Sequence, residues 1–173
     1  GKSGARFDPE KAKWYNQQYL KSKSDEELTS LFIPILQKKG FPINPRHIKK
    51  VTAMIKERLV FPQDFWEQAF YFFEGPEIYD MQMQKKVWKE ETPGIIASVR
   101  ELLKEAKDFS SPGLEALIKK YIEQNNIGFG RVAAPLRLLM VGSGMGPHLF
   151  DILEMIGKEE TIRRINRGLE IIH

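Results

Sequence analysis

The residues best placed to do chemistry in this chain are glycines. Leu138 through Gly146, Leu-Leu-Met-Val-Gly-Ser-Gly-Met-Gly, runs from an apolar stretch into a glycine loop. In such loops, successive backbone N–H groups can cradle a pyrophosphate. The spacing does not complete that pattern. The third glycine of G-x-G-x-x-G would fall at Pro147, and the flanking segments are patterned as helices, with no βαβ unit to hold a dinucleotide. The simpler expectation is a helix–helix turn, in which glycine permits positive φ and Pro147 opens the next helix.

Other chemical candidates fail on spacing too. Lys21-Ser22-Lys23-Ser24 has the outline of a lysine–serine nucleotide loop, but Ser24 sits where an N-cap belongs. His47, His148 and His173 lie far apart, with no serine nucleophile beside them and no cysteine anywhere in the chain. That composition excludes disulfides, thiolate nucleophiles and zinc–thiolate sites. The carboxylate pairs Glu90-Glu91 and Glu159-Glu160 stand at helix starts, where the dipole favours them, better than in a general acid–base pair. No catalytic residue, cofactor site or metal site is expected in this chain.

The elements that must position these residues all read as helical. Asp8-Pro9-Glu10 is an N-cap followed by Pro at the first position, opening a helix with Trp14, Tyr15 and Tyr19 at helical spacing to about Leu20. Ser24-Asp25-Glu26-Glu27 is a capping box ahead of the stripe Leu28, Leu31, Phe32, Ile35 and Leu36, with Pro34 as a potential kink. Asn44-Pro45 opens a third helix to about Leu59. Pro62-Gln63-Asp64 opens a fourth through Phe65, Trp66, Phe70, Tyr71, Phe72 and Phe73, a run whose spacing suits packing between helices. Further patterns span Ile78 to Lys89, Thr92-Pro93 to Lys107, Ser111-Pro112 to Gln124, Gly130 to Val141, Pro147 to Ile156, and Lys158 to Ile171. Nothing alternates with period two for long enough to make a sheet, so the fold class is all-α. The breaks Glu74-Gly75-Pro76 and Glu90-Glu91-Thr92-Pro93-Gly94 are the candidate seams, and the boundary is placed at the second, giving two subdomains, 1–91 and 92–173.

With 173 residues, 42% of them hydrophobic, the chain can bury one sizeable core or two small ones. No apolar run approaches the roughly 18–20 residues that span a bilayer, and no apolar leader follows the first basic residue, so the expected location is cytoplasmic, away from membranes. Lys plus Arg number 27 against 23 Asp plus Glu; a net charge of +4 favours an anionic partner. Arg131, Arg137, Lys158, Arg163, Arg164 and Arg167 concentrate that excess in the C-terminal third.

Two stretches resemble the bacterial-type glutamyl-tRNA synthetase family. Lys13-Trp14-Tyr15-Asn16-Gln17-Gln18-Tyr19-Leu20 is similar to the family's WFNQxYL helix, which follows its ATP loop and leads towards the anticodon domain. Ala134-Pro135-Leu136-Arg137-Leu138, the Gly142 to Gly146 turn, and Pro147-His148-Leu149-Phe150-Asp151 running on to Gly157-Lys158-Glu159-Glu160-Thr161 are similar to its terminal PLRxAxxGxxxGPxLFxxxxxLGKExxxxR pattern. Glu90-Glu91-Thr92-Pro93 fits the middle of the same region, so the resemblance covers nearly the whole chain.

The resemblance implies a helical cage of two subdomains that binds the anticodon loop of the glutamate tRNA. It also implies a longer parent that joins glutamate to that tRNA using ATP and Mg²⁺, and a monomer that does not bind DNA. Arg137 matches the family position that contacts an anticodon base, and Arg58 falls near the family's other base-recognising arginine. Gly144, Gly146 and Pro147 would shape the surface beside Arg137, while Lys158 and Arg164 would attract the RNA backbone, which positions without reading sequence. The competing expectation is a helical protein-interaction module; a small-molecule enzyme, carried only by the glycine loop, stands third.

Overall fold

A computed structural model describes residues 6–173. Among them are nine α-helices, three short 3-10 turns and no strand, the all-α class the periodicity predicts. Contacts gather the chain into two compact units that meet at Phe70 and Tyr71, earlier in the chain than the Glu90 to Gly94 break.

The first unit is built on α1 (Pro9–Ser22), α2 (Asp25–Lys38), α3 (Pro45–Ile55) and the short α4 (Phe65–Ala69). Its helix starts follow the local chemistry. Asp8 accepts hydrogen bonds from the backbone N–H of Glu10 and Lys11, Asn44 from that of His47, and the Ser24 hydroxyl from that of Glu27 at 3.1 Å. The second half of the expected capping box is replaced by an ion pair, in which the Glu27 carboxylate lies 3.7 Å from Lys23 Nζ. Pro34 sits inside α2 without ending it. Leu28, Phe32 and Leu36 of α2 face Ile48, Val51 and Ile55 of α3, all buried at the i, i+3/i+4, i+7 spacing of one helical face. Phe32 stacks on Phe65 with ring centroids 4.1 Å apart. Full burial of each such side chain stabilises the unit by about 1.5–3 kcal/mol.

Two expected helices are shorter than their patterns. The third ends at Ile55 and tightens into a 3-10 turn over Lys56–Arg58, which lets Leu59 turn inward. The Pro62 start gives a 3-10 turn, then α4, then a second tight turn over Phe70–Phe72. Asp64 is the local cause at the first of these: its carboxylate accepts from the N–H groups of Val60 and Phe61, folding the chain back before α4 begins. Phe65, Tyr71 and Phe72 are buried, whereas Trp66, Phe70 and Phe73 are half-buried.

In the second unit, α8 (Gly130–Val141) is the central element. Val132, Pro135, Leu136, Leu138, Leu139, Met140 and Val141 are all buried, an almost all-round apolar helix that must be surrounded. Its surroundings are α5 (Met81–Val87), α6 (Thr92–Glu105) and α9 (Leu149–Ile171), with α7 (Ser111–Gln124) packed on α9. Helix α9 is broken at Gly157, where φ is 84° and ψ 167°; the two helical patterns on either side of Gly157 therefore form two rods. The expected helix from Ile78 starts only at Met81, because Asp80 caps it: its carboxylate accepts from the N–H of Met83 at 2.7 Å.

Candidate functional site

Helix α8 ends as a glycine permits. Gly142 takes the left-handed conformation, φ 86°, and its N–H closes on the Leu138 carbonyl at 2.8 Å. The chain then turns through Ser143, Gly144, Met145 and Gly146 to reach α9 at Leu149. The expected helix start at Pro147 thus falls two residues later, and Pro147 lies in the turn, half-buried.

Arg137 stands one turn before the end of α8, half-buried between neighbours that are wholly interior. Its Nη1 donates to the Met145 carbonyl at 2.9 Å, which fixes the guanidinium against the turn. Gly146, at φ 102°, makes room for this. A Cβ there would lie 3.3 Å from Arg137 Nη1, 3.2 Å from the Tyr71 hydroxyl and 3.4 Å from Ile152. Gly144 is exposed, with Met83 Sδ the nearest atom to where its Cβ would be, at 3.9 Å. The structure therefore brings Arg137, Gly144, Gly146 and Pro147 into one surface. Arg58 belongs to the first unit, exposed at the end of the Lys56–Arg58 turn.

The two backbone-binding candidates are placed differently from the expectation. Arg164 is only 2% exposed; its Nη1 donates to the Met140 carbonyl at 2.8 Å and its Nε to Glu160 at 2.9 Å. It is an interior cation joining α9 to α8, because helix periodicity turns residue 164 towards α8. Burial pushes its pKa below the usual arginine value, an effect opposed by the neighbouring Glu160. Lys158 donates to the carbonyls of Lys104 at 3.0 Å and Ala106 at 2.6 Å. It caps the carbonyl end of α6, where a cation meets the negative pole of the helix.

The whole C-terminal basic cluster is engaged within the protein. Arg163 grips Glu160 through two bonds, at 2.8 and 2.6 Å, and with Arg164 holds that carboxyl below the usual carboxylate range. Arg131 pairs with Glu91. Arg167 donates to the Pro76 carbonyl at 2.6 Å, the Glu77 carbonyl at 3.1 Å and the Tyr79 hydroxyl at 3.2 Å. Sequence reasoning missed the consequence, that residues 76–80 are tied down beside the Gly142 turn, because it extended the α5 pattern back to Ile78. The Asp80-x-x-Met83 cap was the available signal.

Among the described residues, no group of three or more His, Asp or Glu could hold a metal ion, and no helix is long and apolar enough to cross a membrane. The turn sets the half-buried Arg137 guanidinium against a backbone whose Gly144 is exposed.

Residues 27–169 match a family model described as an anticodon binding domain. Two curated glutamate–tRNA ligases, from Flavobacterium psychrophilum and Flavobacterium johnsoniae, are 48% and 43% identical over 97% and 99% of the chain, which covers 33% and 34% of their own lengths. A crystal structure of a glutamate tRNA ligase from Elizabethkingia meningosepticum, in complex with its amino acid, superposes with a TM-score of 0.92 at 38% identity, over 99% of this chain and 34% of that one. The chain thus spans about a third of the relatives it matches.

Proposed function

The chain belongs to the anticodon binding domain family, and from that premise we propose that it reads the anticodon of a glutamate tRNA as part of a glutamate–tRNA ligase. The parent enzyme would join glutamate to its tRNA at the expense of ATP, with Mg²⁺, in the two thirds of the relatives' length that this chain does not cover. Nothing in the Arg137 turn is equipped for that reaction. Its role is to bind.

The observation that carries the proposal is the Arg137 guanidinium fixed on the Met145 carbonyl at the edge of a turn whose Gly144 is exposed. Bases of a single-stranded loop can be splayed out, stacked and bonded along their edges. Arginine presents a planar fork of donors that pairs with a base edge and stacks on its face. Holding the fork in place beforehand reduces the entropy lost on binding. Exposed Gly144 allows RNA close to the backbone, Gly146 makes room for the Arg137 guanidinium, and Pro147 stiffens the exit from the turn. Arg58, exposed on the first unit, is proposed as a second base contact.

One observation favours a different partner. Trp14, Tyr15 and Tyr19 of α1 are exposed, a face that a protein-interaction module would use. The two functions separate in one experiment: binding of the chain to a glutamate-tRNA anticodon stem-loop and to anticodon-substituted versions, at two salt concentrations, with Arg137→Ala alongside. A reading role predicts that Arg137→Ala removes on the order of 1–3 kcal/mol of discrimination between anticodons. A phosphate contact would weaken every RNA alike and lower the salt slope. Binding unchanged by the substitution would reject both roles for Arg137, and absence of RNA binding at low salt would favour the protein partner.

A further inference from the structure

Ile78 and Met81 are 80% and 70% exposed, among the most exposed large apolar side chains in the chain. Single exposed apolar residues are ordinary on a protein surface. These two differ in how firmly their backbone is held. On one side, Arg167 donates to the carbonyls of Pro76 and Glu77 and to the hydroxyl of buried Tyr79, whose ring it also faces at 5.5 Å. On the other, the Asp80 N–H donates to the Gly142 carbonyl at 2.7 Å. That approach requires glycine: a Cβ at residue 142 would lie 2.6 Å from the Ile78 carbonyl and 2.8 Å from Pro76 Cβ. The segment is clamped between α9 and the turn that carries Gly144 and holds Arg137, with Ile78 and Met81 left facing water.

From this clamp we infer that Ile78 and Met81 form an apolar wall of the proposed RNA site, against which an unstacked nucleobase of the anticodon loop packs while Arg137 addresses its edge. The inference rests on the anticodon-reading role proposed above and adds residues to the same site. The chemistry is complementary. A splayed base presents a flat, weakly polar face that an apolar surface desolvates, and polar edges that donors pair. Ile78 is stiff at χ1 and loses little rotamer freedom on contact. Met81 has an adaptable, polarisable thioether that makes favourable contacts with π-systems. Met83, with its sulfur against Gly144, continues the apolar surface to the turn.

The test compares wild type, Ile78→Ser, Met81→Ser and Arg137→Ala, each binding the glutamate-tRNA anticodon stem-loop and the same stem-loop with abasic nucleotides at the three anticodon positions. Ile78→Ser and Met81→Ser should each weaken binding of the intact loop by roughly three- to tenfold, the scale of a partly lost base contact. Neither should change affinity for the abasic loop, nor shift the unfolding midpoint, since both side chains are exposed. Wild-type-like binding by both serine variants, with discrimination lost in Arg137→Ala, would remove the wall and leave the reading role intact. Equal weakening on intact and abasic loops would overturn the base contact. A wild-type protein that does not distinguish the two loops would overturn the reading role and the wall together.

Discussion

Arg137 and Arg164 each donate through Nη1 to a main-chain carbonyl, at 2.9 Å to Met145 and 2.8 Å to Met140, yet they belong to regions built for different ends. Arg164 lies between α8 and α9, almost wholly enclosed, with Glu160 compensating part of its charge. Arg137 lies half-buried on the last turn of α8, bonded to the glycine turn that follows, and is the residue proposed to meet RNA. In the interior region the charge holds two helices in register; at the turn the protein orients a charge and leaves its surroundings accessible. A bond to a carbonyl therefore says little about an arginine's role. What the bond encloses decides it.

The comparison can be broken first at Arg164. Arg164→Ala leaves the Met140 carbonyl without its partner and Glu160 with Arg163 alone, and opens a void; it should cost about 2–5 kcal/mol of folding stability, measured by urea unfolding. A loss below about 1 kcal/mol would mean that Arg164 is not the interior tie described. Gly142→Ala comes next. It places a side chain at positive φ and against the Ile78 carbonyl, and should cost about 1–3 kcal/mol while loosening the segment that carries Ile78. An unchanged melting curve would show that the segment is not clamped by the turn. Arg137→Ala should cost about 1 kcal/mol or less in stability, the net worth of one hydrogen bond, and act on RNA discrimination instead. A stability loss comparable to that of Arg164→Ala would erase the contrast.

The smallest expected effect is in pH. Arg163 and Arg164 lower the pKa of Glu160 in the folded protein. A depressed carboxyl stabilises the fold fully above the ordinary carboxylate range, and this contribution is lost as pH falls through that range into the depressed folded value. Glu160→Gln should therefore flatten the acid limb of the stability–pH curve and leave the alkaline side unchanged. An acid limb as steep as that of wild type would place the coupling elsewhere.

Most helix starts were legible because they are local. Asp8, Ser24 and Asn44 cap their helices through N–H groups within three residues, so sequence carries their geometry directly. Ends were less legible where long-range packing intervened: Leu59 turns into the core and shortens the third helix, and the α5 pattern was overextended to Ile78 although Asp80 caps the helix at Met81. The Gly142–Gly146 turn could be read from spacing, whereas the place of Arg137 beside it came from the family resemblance. The basic cluster could not be resolved in the same way, because periodicity gives the face of a helix but not what stands opposite it.

By itself, then, the sequence determined the all-helical class, most of the caps, the turn after α8 and the exclusion of thiolate chemistry, all of which follow from residue type and spacing within a few positions. Only the tertiary structure decided which cations face inward. Residues far apart in sequence supply the partners: Met140 for Arg164, Lys104 and Ala106 for Lys158, Pro76 and Glu77 for Arg167. Desolvation and carbonyl geometry act only once the helices have packed, and they are what separate an enclosed arginine that joins two helices from a half-buried one at the end of a helix.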